Sequence, residues 1–401
     1  MKLNLDIPAP LRGSETGTFT HYSIAVRLPD IGRRILAENR FCSHVVADLA
    51  DLIEGIPNTP IRPLTDLYAP DAADWRKYCL PYLEQSWLQA PWFFVETYFY
   101  RRVLEATQYF DEGAVTEGVD PYAYQKRQGL TMSVPAVRNL CAAVTRWLAE
   151  PEAREAALMH LLYADLWGNQ ADLSLWPADQ DDRPGGAGAQ DEFLLTDEVT
   201  AVLSHLLSSP HKRLDLIADN AGFELVADLC LVDYLLCSET AVTVCLHLKS
   251  HPTFVSDALI KDVTDTIAFL AQDENEATRV VGHRLQGMIK NGRLRLQTHF
   301  FWTSPLPMWA LPDDLKGELA HSNLVISKGD ANYRRLLGDR HWPFTTPLAD
   351  IVGYFPAPLL ALRTLKSEII VSLAEGQAAT LSAQDPDWLI NGKWGVIQFA
   401  P

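Results

Sequence analysis

Asp219 and Asn220 stand together where an apolar run, Arg213-Leu214-Asp215-Leu216-Ile217-Ala218, gives out, and Gly222-Phe223-Glu224 follows at once. Carboxylate and amide oxygens are hard donors, suited to Mg²⁺ or Mn²⁺ rather than to a soft ion. An ion held that way polarises a phosphoryl oxygen and acidifies a water. Gly222 permits a tight turn, and a helix starting beyond it offers free N–H groups to an anion. The same residues also make an ordinary helix N-cap with a Glu in the first turn. The local sequence leaves both readings open.

A second carboxylate, Asp257, ends the stretch His251-Pro252-Thr253-Phe254-Val255-Ser256-Asp257. Alone it reads as another N-cap. Its value is topological, because two neighbouring strand ends can aim oxygen donors at one cation. Polar residues gather again after Leu324-Val325-Ile326-Ser327, in Lys328-Gly329-Asp330-Ala331-Asn332-Tyr333-Arg334-Arg335. Arg grips phosphate through paired hydrogen bonds, and Asp accepts from sugar hydroxyls. Taken singly, this stretch is a solvated loop with a basic first turn. Arg363 and Lys366 share a face if their segment is helical, and an ammonium suits a phosphate oxygen. An ordinary surface pair is the alternative. The eleven histidines form no HExxH or HxH, and no GxSxG occurs. His299 reads as a packed or hydrogen-bonded core residue, and Cys230 and Cys237 as buried small hydrophobes.

The elements that must position these groups fall into two halves. Roughly residues 1–205 read as helical. Trp92 to Leu104 is a long apolar segment, and Ala136–Leu148 and Ala153–Leu166 carry apolar residues at three- and four-residue spacing. From 206 to 401 strands alternate with helices, which predicts a mainly parallel sheet covered on both faces. The expected strands are Leu214–Ala218, Val242–Leu248, Leu294–Phe300, Leu324–Ser327 and Val396–Phe399. In such sheets ligands bind outside the carboxyl ends of the strands. Asp179 to Glu192 is rich in glycine and charge but follows no strand, so it reads as a surface loop rather than a phosphate cradle.

Composition narrows the partners. The net charge of −17 repels nucleic acid and anionic lipid. A local basic pocket and a metal can still receive a small phosphorylated metabolite. Six cysteines without a CxxC pair point to a reducing compartment. With no signal peptide and no apolar stretch long enough to span a membrane, the expected location is the cytoplasm. Nothing implies an obligate protein partner.

The ordered blocks DNAGFELVADLCLVDYLL, PTFVSD, FFWTSPLPMW, SKGDANYRRLLGD, FPAPLLALRTLKSEIIVSL and NGKWGVIQF resemble the metal-dependent damage-control phosphatases. The similarity is to their acidic-residue-methyltransferase-like (ARMT-like) branch. APWFFVETYFYRRVLEA and LWGNQADLSL extend the resemblance into the helical half, so that it runs from about Tyr22 to Phe399. It implies an N-terminal helical domain packed on a Rossmann-like αβα sandwich. It implies a divalent metal, Mn²⁺ or Mg²⁺ with Co²⁺ or Ni²⁺ as alternatives, held by Asp219, Asn220 and Asp257. It places Glu224, Asp330, Asn332, Tyr333, Arg334 and Lys366 along the substrate pocket. The implied substrates are sugar phosphates such as fructose 1-phosphate and fructose 6-phosphate. Asp219 or Asp257 would take a proton from the attacking water. Two other readings stay in view. One is carboxyl methyl transfer from S-adenosylmethionine, an activity also ascribed to this branch. The other is a sugar-phosphate-binding protein without turnover.

Overall fold

The computed structural model describes residues 6–168, 191–208 and 211–401. Seven strands form one sheet: β1 (Leu194–Asp197), β2 (His211–Ile217), β3 (Ala241–Leu248), β4 (Leu294–Thr298), β5 (Leu324–Lys328), β6 (Leu359–Thr364) and β7 (Gly395–Ala400). Their spatial order is β1-β7-β6-β5-β2-β3-β4. The five strands from β6 to β4 are parallel, and β7 runs antiparallel to β6. The chain leaves β2 towards β3 and β4, then returns to place β5 on the other side of β2. That reversal opens a crevice at the carboxyl ends of β2 and β5, the switch point where α/β sheets bind ligands.

The helices that matter here are α1 (Leu28–Glu38), α2 (Ser43–Gly55), α3 (Trp92–Ala106), α4 (Ala123–Met132), α5 (Val134–Ala149), α6 (Arg154–Trp167), α7 (Val199–Leu207), α8 (Phe223–Cys237), α9 (Ile260–Ala271), α10 (Glu276–Lys290) and α11 (Gly329–Leu337). Alternation within β2 sends Leu214 and Leu216 to one core and Ile217 to another, so both faces of the sheet are covered. The first core joins the sheet to α5 through α10. The helix α8 lies inside it, and residues Phe223 to Leu236 are all buried, which is why this helix has no polar face. A third core, from Ile24 to Tyr122, is built from the N-terminal helices and their connections, centres on α3 and is met by Phe254 and Val255. No described helix is long and apolar enough to cross a membrane.

The five expected strands are present within a few residues of their expected ends. Two strands depart from expectation. β1 falls inside the stretch read as helical and pairs parallel with β7. β6 contains Arg363, so Arg363 and Lys366 do not share a helix face; Lys366 lies two residues beyond a strand. All six residues of β6 are buried, and a central strand enclosed on both faces shows no alternation to read. The Asp179–Gln190 part of the glycine-rich stretch lies outside the described residues.

Glu105 on α3 ties the N-terminal helices together. Its carboxylate accepts from Arg62 at 2.8 Å, Arg102 at 2.7 Å and the Thr65 hydroxyl at 2.8 Å. Burial opposes the charge, but the Arg62 hydrogen bond and Arg102 bring its pKa from 4.5 down to about 2. A depressed carboxylate adds stability above its unfolded pKa and loses it as pH falls towards the folded one. Glu105→Gln should cost about 2–3 kcal/mol at pH 7. Urea unfolding should show that gap narrowing as pH drops from 4.5 towards 2; a gap independent of pH would assign the loss to shape instead of charge.

Candidate active site

The loop after β2 is pinned to the loop after β3 by main-chain hydrogen bonds. Ala258 N donates to the Asp219 carbonyl at 2.8 Å, Ala221 N donates to the Ser256 carbonyl at 2.7 Å, and Asn220 pairs with Asp257 in a single antiparallel bridge. Asp219, Asn220 and Asp257 are thereby brought to one point. Gly222, at φ +83°, turns the chain into α8 and sets Glu224 in the first helical turn. The Asn220 amide donates to Asp219 Oδ2 at 2.8 Å and to Glu224 Oε2 at 2.9 Å, and its oxygen accepts from Ser256 Oγ.

Three carboxylates, Asp219, Glu224 and Asp257, are at least 94% buried around this amide. Burial, then Asp257 and Glu224, push the Asp219 pKa well above the carboxylate range. Burial also raises Asp257, against the pull of Lys249. The Lys249 ammonium is 3.0 Å from Asp257 Oδ2. Its angle is outside hydrogen-bond geometry, so that buried oxygen has no aligned donor. Buried charges of one sign require a counter-ion or lose their charge. The all-oxygen donor set fits a hard divalent cation.

Gly329 supplies independent support for that fit. Its φ is +80°, and a Cβ there would sit 1.9 Å from Asp219 Oδ2. Only a residue without a side chain lets the start of α11 pass this close to the carboxylate. Gly329→Ala should therefore displace Asp219 and weaken Mn²⁺ binding at least tenfold, a loss of about 1.4 kcal/mol. Calorimetric titration of the folded variant checks this, and wild-type affinity would refute it.

The remaining expected site residues divide into two groups. Asp330 Oδ1 accepts from Arg363 Nε at 2.8 Å, from Lys366 N at 3.2 Å and from Ser367 Oγ at 3.0 Å. Burial works against its charge, but Arg363 and Arg334 hold it below its usual pKa. The adjoining Lys366 is half-buried, and its ammonium has no hydrogen-bond or ion-pair partner among the described residues. It is close enough to Asp219 to favour that residue's charged form. Asn332, Tyr333 and Arg334 are committed elsewhere. The Asn332 amide donates to the carbonyls of Ala218 and Lys328, tying the ends of β2 and β5 together. Tyr333 Oη donates to Gln398 within the second core. Arg334 is paired with Glu96 and Asp339 and lies 3.8 Å over the Trp92 ring. That network joins α11 to α3.

Some partners in this region carried no sequence signal of their own. Lys328 Nζ is buried between Asp165 on α6 (2.7 Å) and Asp228 on α8 (2.6 Å), with Glu224 at 3.7 Å. Burial opposes its charge, but Asp165 and Asp228 hold it above its ordinary pKa. Asp228 itself is pushed far up by burial. Lys249, which follows β3 directly, carried no sequence reading. Farther down the sheet, Asp215, Cys245 and His247 bring three potential ligand atoms within 4.8 Å of one another. Arg213 takes both Asp215 oxygens, at 2.6 and 2.8 Å, and His247 takes one of them at 2.7 Å. A guanidinium already fills the place of a cation there. His299 Nδ1 accepts from Phe301 N at 2.9 Å, and Cys230 is buried as expected while Cys237 is only half-buried.

A sheet crevice with a buried cluster of oxygen donors, beside a lysine that has no partner among the described residues, is the make-up expected of a metal-assisted α/β enzyme. Comparison with known proteins specifies the class. The model of the damage-control phosphatase ARMT1-like domain matches residues 27–381, and the chain belongs to that family. It is 36% identical to damage-control phosphatase ARMT1 of Danio rerio, over 98% of this chain and 97% of that one. The Mus musculus and Homo sapiens proteins of that name are 33% and 31% identical, over 98% of each chain. A solved DUF89 family protein from Pyrococcus horikoshii is similar with a TM-score of 0.47 and 13% identity, over 95% of this chain and 98% of that one. The protein is a phosphatase of a metal-dependent family that acts on small phosphorylated metabolites.

Proposed function

We propose that this enzyme hydrolyses small sugar phosphates of the fructose 1-phosphate or fructose 6-phosphate type, at a metal held by Asp219, Asn220 and Asp257. The observation that carries the reading is the Lys366 ammonium, which has no partner among the described residues and is close enough to act on Asp219. A bound Mn²⁺ or Mg²⁺ would polarise the phosphoryl group and acidify a water. Lys366 would hold a phosphoryl oxygen and offset charge as it develops. Glu224 orients the Asn220 amide, whose oxygen accepts from Ser256 and would offer its remaining lone pair to the cation. Asp219 or Asp257 would accept the proton of the attacking water. Asp330 is anchored through one oxygen, which supports the other as acceptor for a sugar hydroxyl. Asn332, Tyr333 and Arg334, expected to bind substrate, are spent on structural contacts, and we assign them to holding α11 in place behind Asp330. Free thiols throughout fit a reducing compartment, and we place the enzyme in the cytoplasm.

A phosphate-release screen over sugar phosphates with Mg²⁺, Mn²⁺, Co²⁺ and Ni²⁺ tests this reading; turnover confined to esters without hydroxyls would remove the sugar. Lys366→Ala should lower kcat/KM for the best ester by about 10- to 100-fold, the value of one charge-assisted contact. Unchanged kinetics would place Lys366 outside the site.

A further inference from the structure

Four arginines are buried among the described residues: Arg101, Arg334, Arg335 and Arg363. Three of them pair with carboxylates, Arg101 with Asp66 and Asp71, Arg334 with Glu96 and Asp339, and Arg363 with Asp330. Arg335 has no carboxylate within ion-pair distance among the described residues. Its donors go to the main-chain carbonyls of Trp302, Ser304 and Leu306, and its Nε has no acceptor. Neutral carbonyls satisfy a guanidinium's hydrogens without cancelling its charge. Burial pulls the Arg335 pKa down to about 9, because the more distant Asp257 offsets its charge only in part.

Arg335 lines a cavity of about 260 Å³ between α3, α11 and the loop after β4. Arg340 lines it too, again with no carboxylate partner and with a buried Nε that lacks an acceptor. Lys77 lines it as well, with its ammonium 2.9 Å from the half-exposed Asp74. The one lining carboxylate, Asp339, is taken by Arg334 and by Phe93 N. The cavity is thus locally positive in a protein of net charge −17. Its walls include Tyr78, Tyr82, Phe93 and Phe94, and the Arg335 guanidinium lies 4.9 Å over the Phe93 ring. Apolar walls with a few convergent charges are the make-up of a small-molecule site. The volume suits a ligand of one ring.

We propose that this cavity is a second ligand site, separate from the metal centre, for a small carboxylate with an aromatic or apolar body. A monoanion matches it, because most Arg335 donors are already used and the missing element is charge. The site adjoins α11, the helix that carries Asp330 and Asn332.

The test is ligand-observed NMR titration of the metal-loaded full chain with benzoate and with its uncharged analogue benzamide. Benzoate should bind about tenfold more tightly than benzamide, the worth of one charge-assisted contact. Arg340→Gln and Lys77→Glu, both at positions not fully buried, should each weaken benzoate several-fold without lowering Tm. Asp219→Asn should leave benzoate binding unchanged. Equal binding of the two probes would overturn the proposal. So would no benzoate binding at about 10 mM, a Kd worth less than ~3 kcal/mol. Loss of benzoate in Asp219→Asn, with retention in Arg340→Gln and Lys77→Glu, would move the probe to the metal centre and overturn it as well.

Discussion

Asp219→Ala should end metal-dependent phosphate release, by about 10³-fold or more, while the protein stays folded. The loss follows from several kcal/mol of transition-state stabilisation that a bound cation supplies. The folding prediction follows from the packing. Asp219 contributes a carboxylate to a cluster that already holds Asp257 and Glu224, all buried. Removing Asp219 takes away a buried carboxyl that burial and its acidic neighbours disfavour in the metal-free chain, so its Tm should not fall below wild type. Asn220 and Asp257 stay linked to each other through the main-chain bridge and Ser256. Calorimetric titration with Mn²⁺ and thermal unfolding with and without chelator measure both halves. Wild-type Mn²⁺ affinity in the variant would remove Asp219 from the ligand set.

Lys328→Met should have the largest effect on stability. Its ammonium lies between Asp165 and Asp228, and the second oxygen of each carboxylate has no hydrogen-bond donor. Breaking a buried ion network by removing its only cation costs about 3–5 kcal/mol. The loss should reach catalysis as well, because Glu224 belongs to the same cluster and orients Asn220. Asp228→Asn keeps the cation and one carboxylate, so it should cost clearly less than Lys328→Met. Denaturant unfolding of the two variants gives the comparison; equal losses would mean that packing, not charge balance, holds this region.

The convergence of Asp219, Asn220 and Asp257 was legible because its logic is local. Asp219 and Asn220 follow the run that becomes β2, Asp257 follows β3, and the strand-end rule needs no further contact information. The helices Val134–Ala149 and Arg154–Trp167 were legible from period alone, each within two residues of the expected span. Burial hid the rest. β6 is apolar throughout, and Leu359-Leu360-Ala361-Leu362 is equally good helix composition. The commitments of Arg334 and Lys328 depend on Glu96 and Asp165, 238 and 163 residues away in the chain. A basic residue in a polar stretch reads as free until such partners are placed. Lys366, half-buried in the loop beyond β6, has no ammonium partner among the described residues, so its phosphate reading stays open.

The most direct test is phosphate release from fructose 1-phosphate and fructose 6-phosphate before chelation, after chelation, and after Mn²⁺ is restored, with methyl transfer from S-adenosylmethionine followed in parallel. Hydrolysis should stop with chelator and return with the metal in wild type, and should return in neither Asp219→Ala nor Asp257→Ala. Methyl transfer that persists in chelator, with no phosphate released from either ester under any condition, would contradict the assignment.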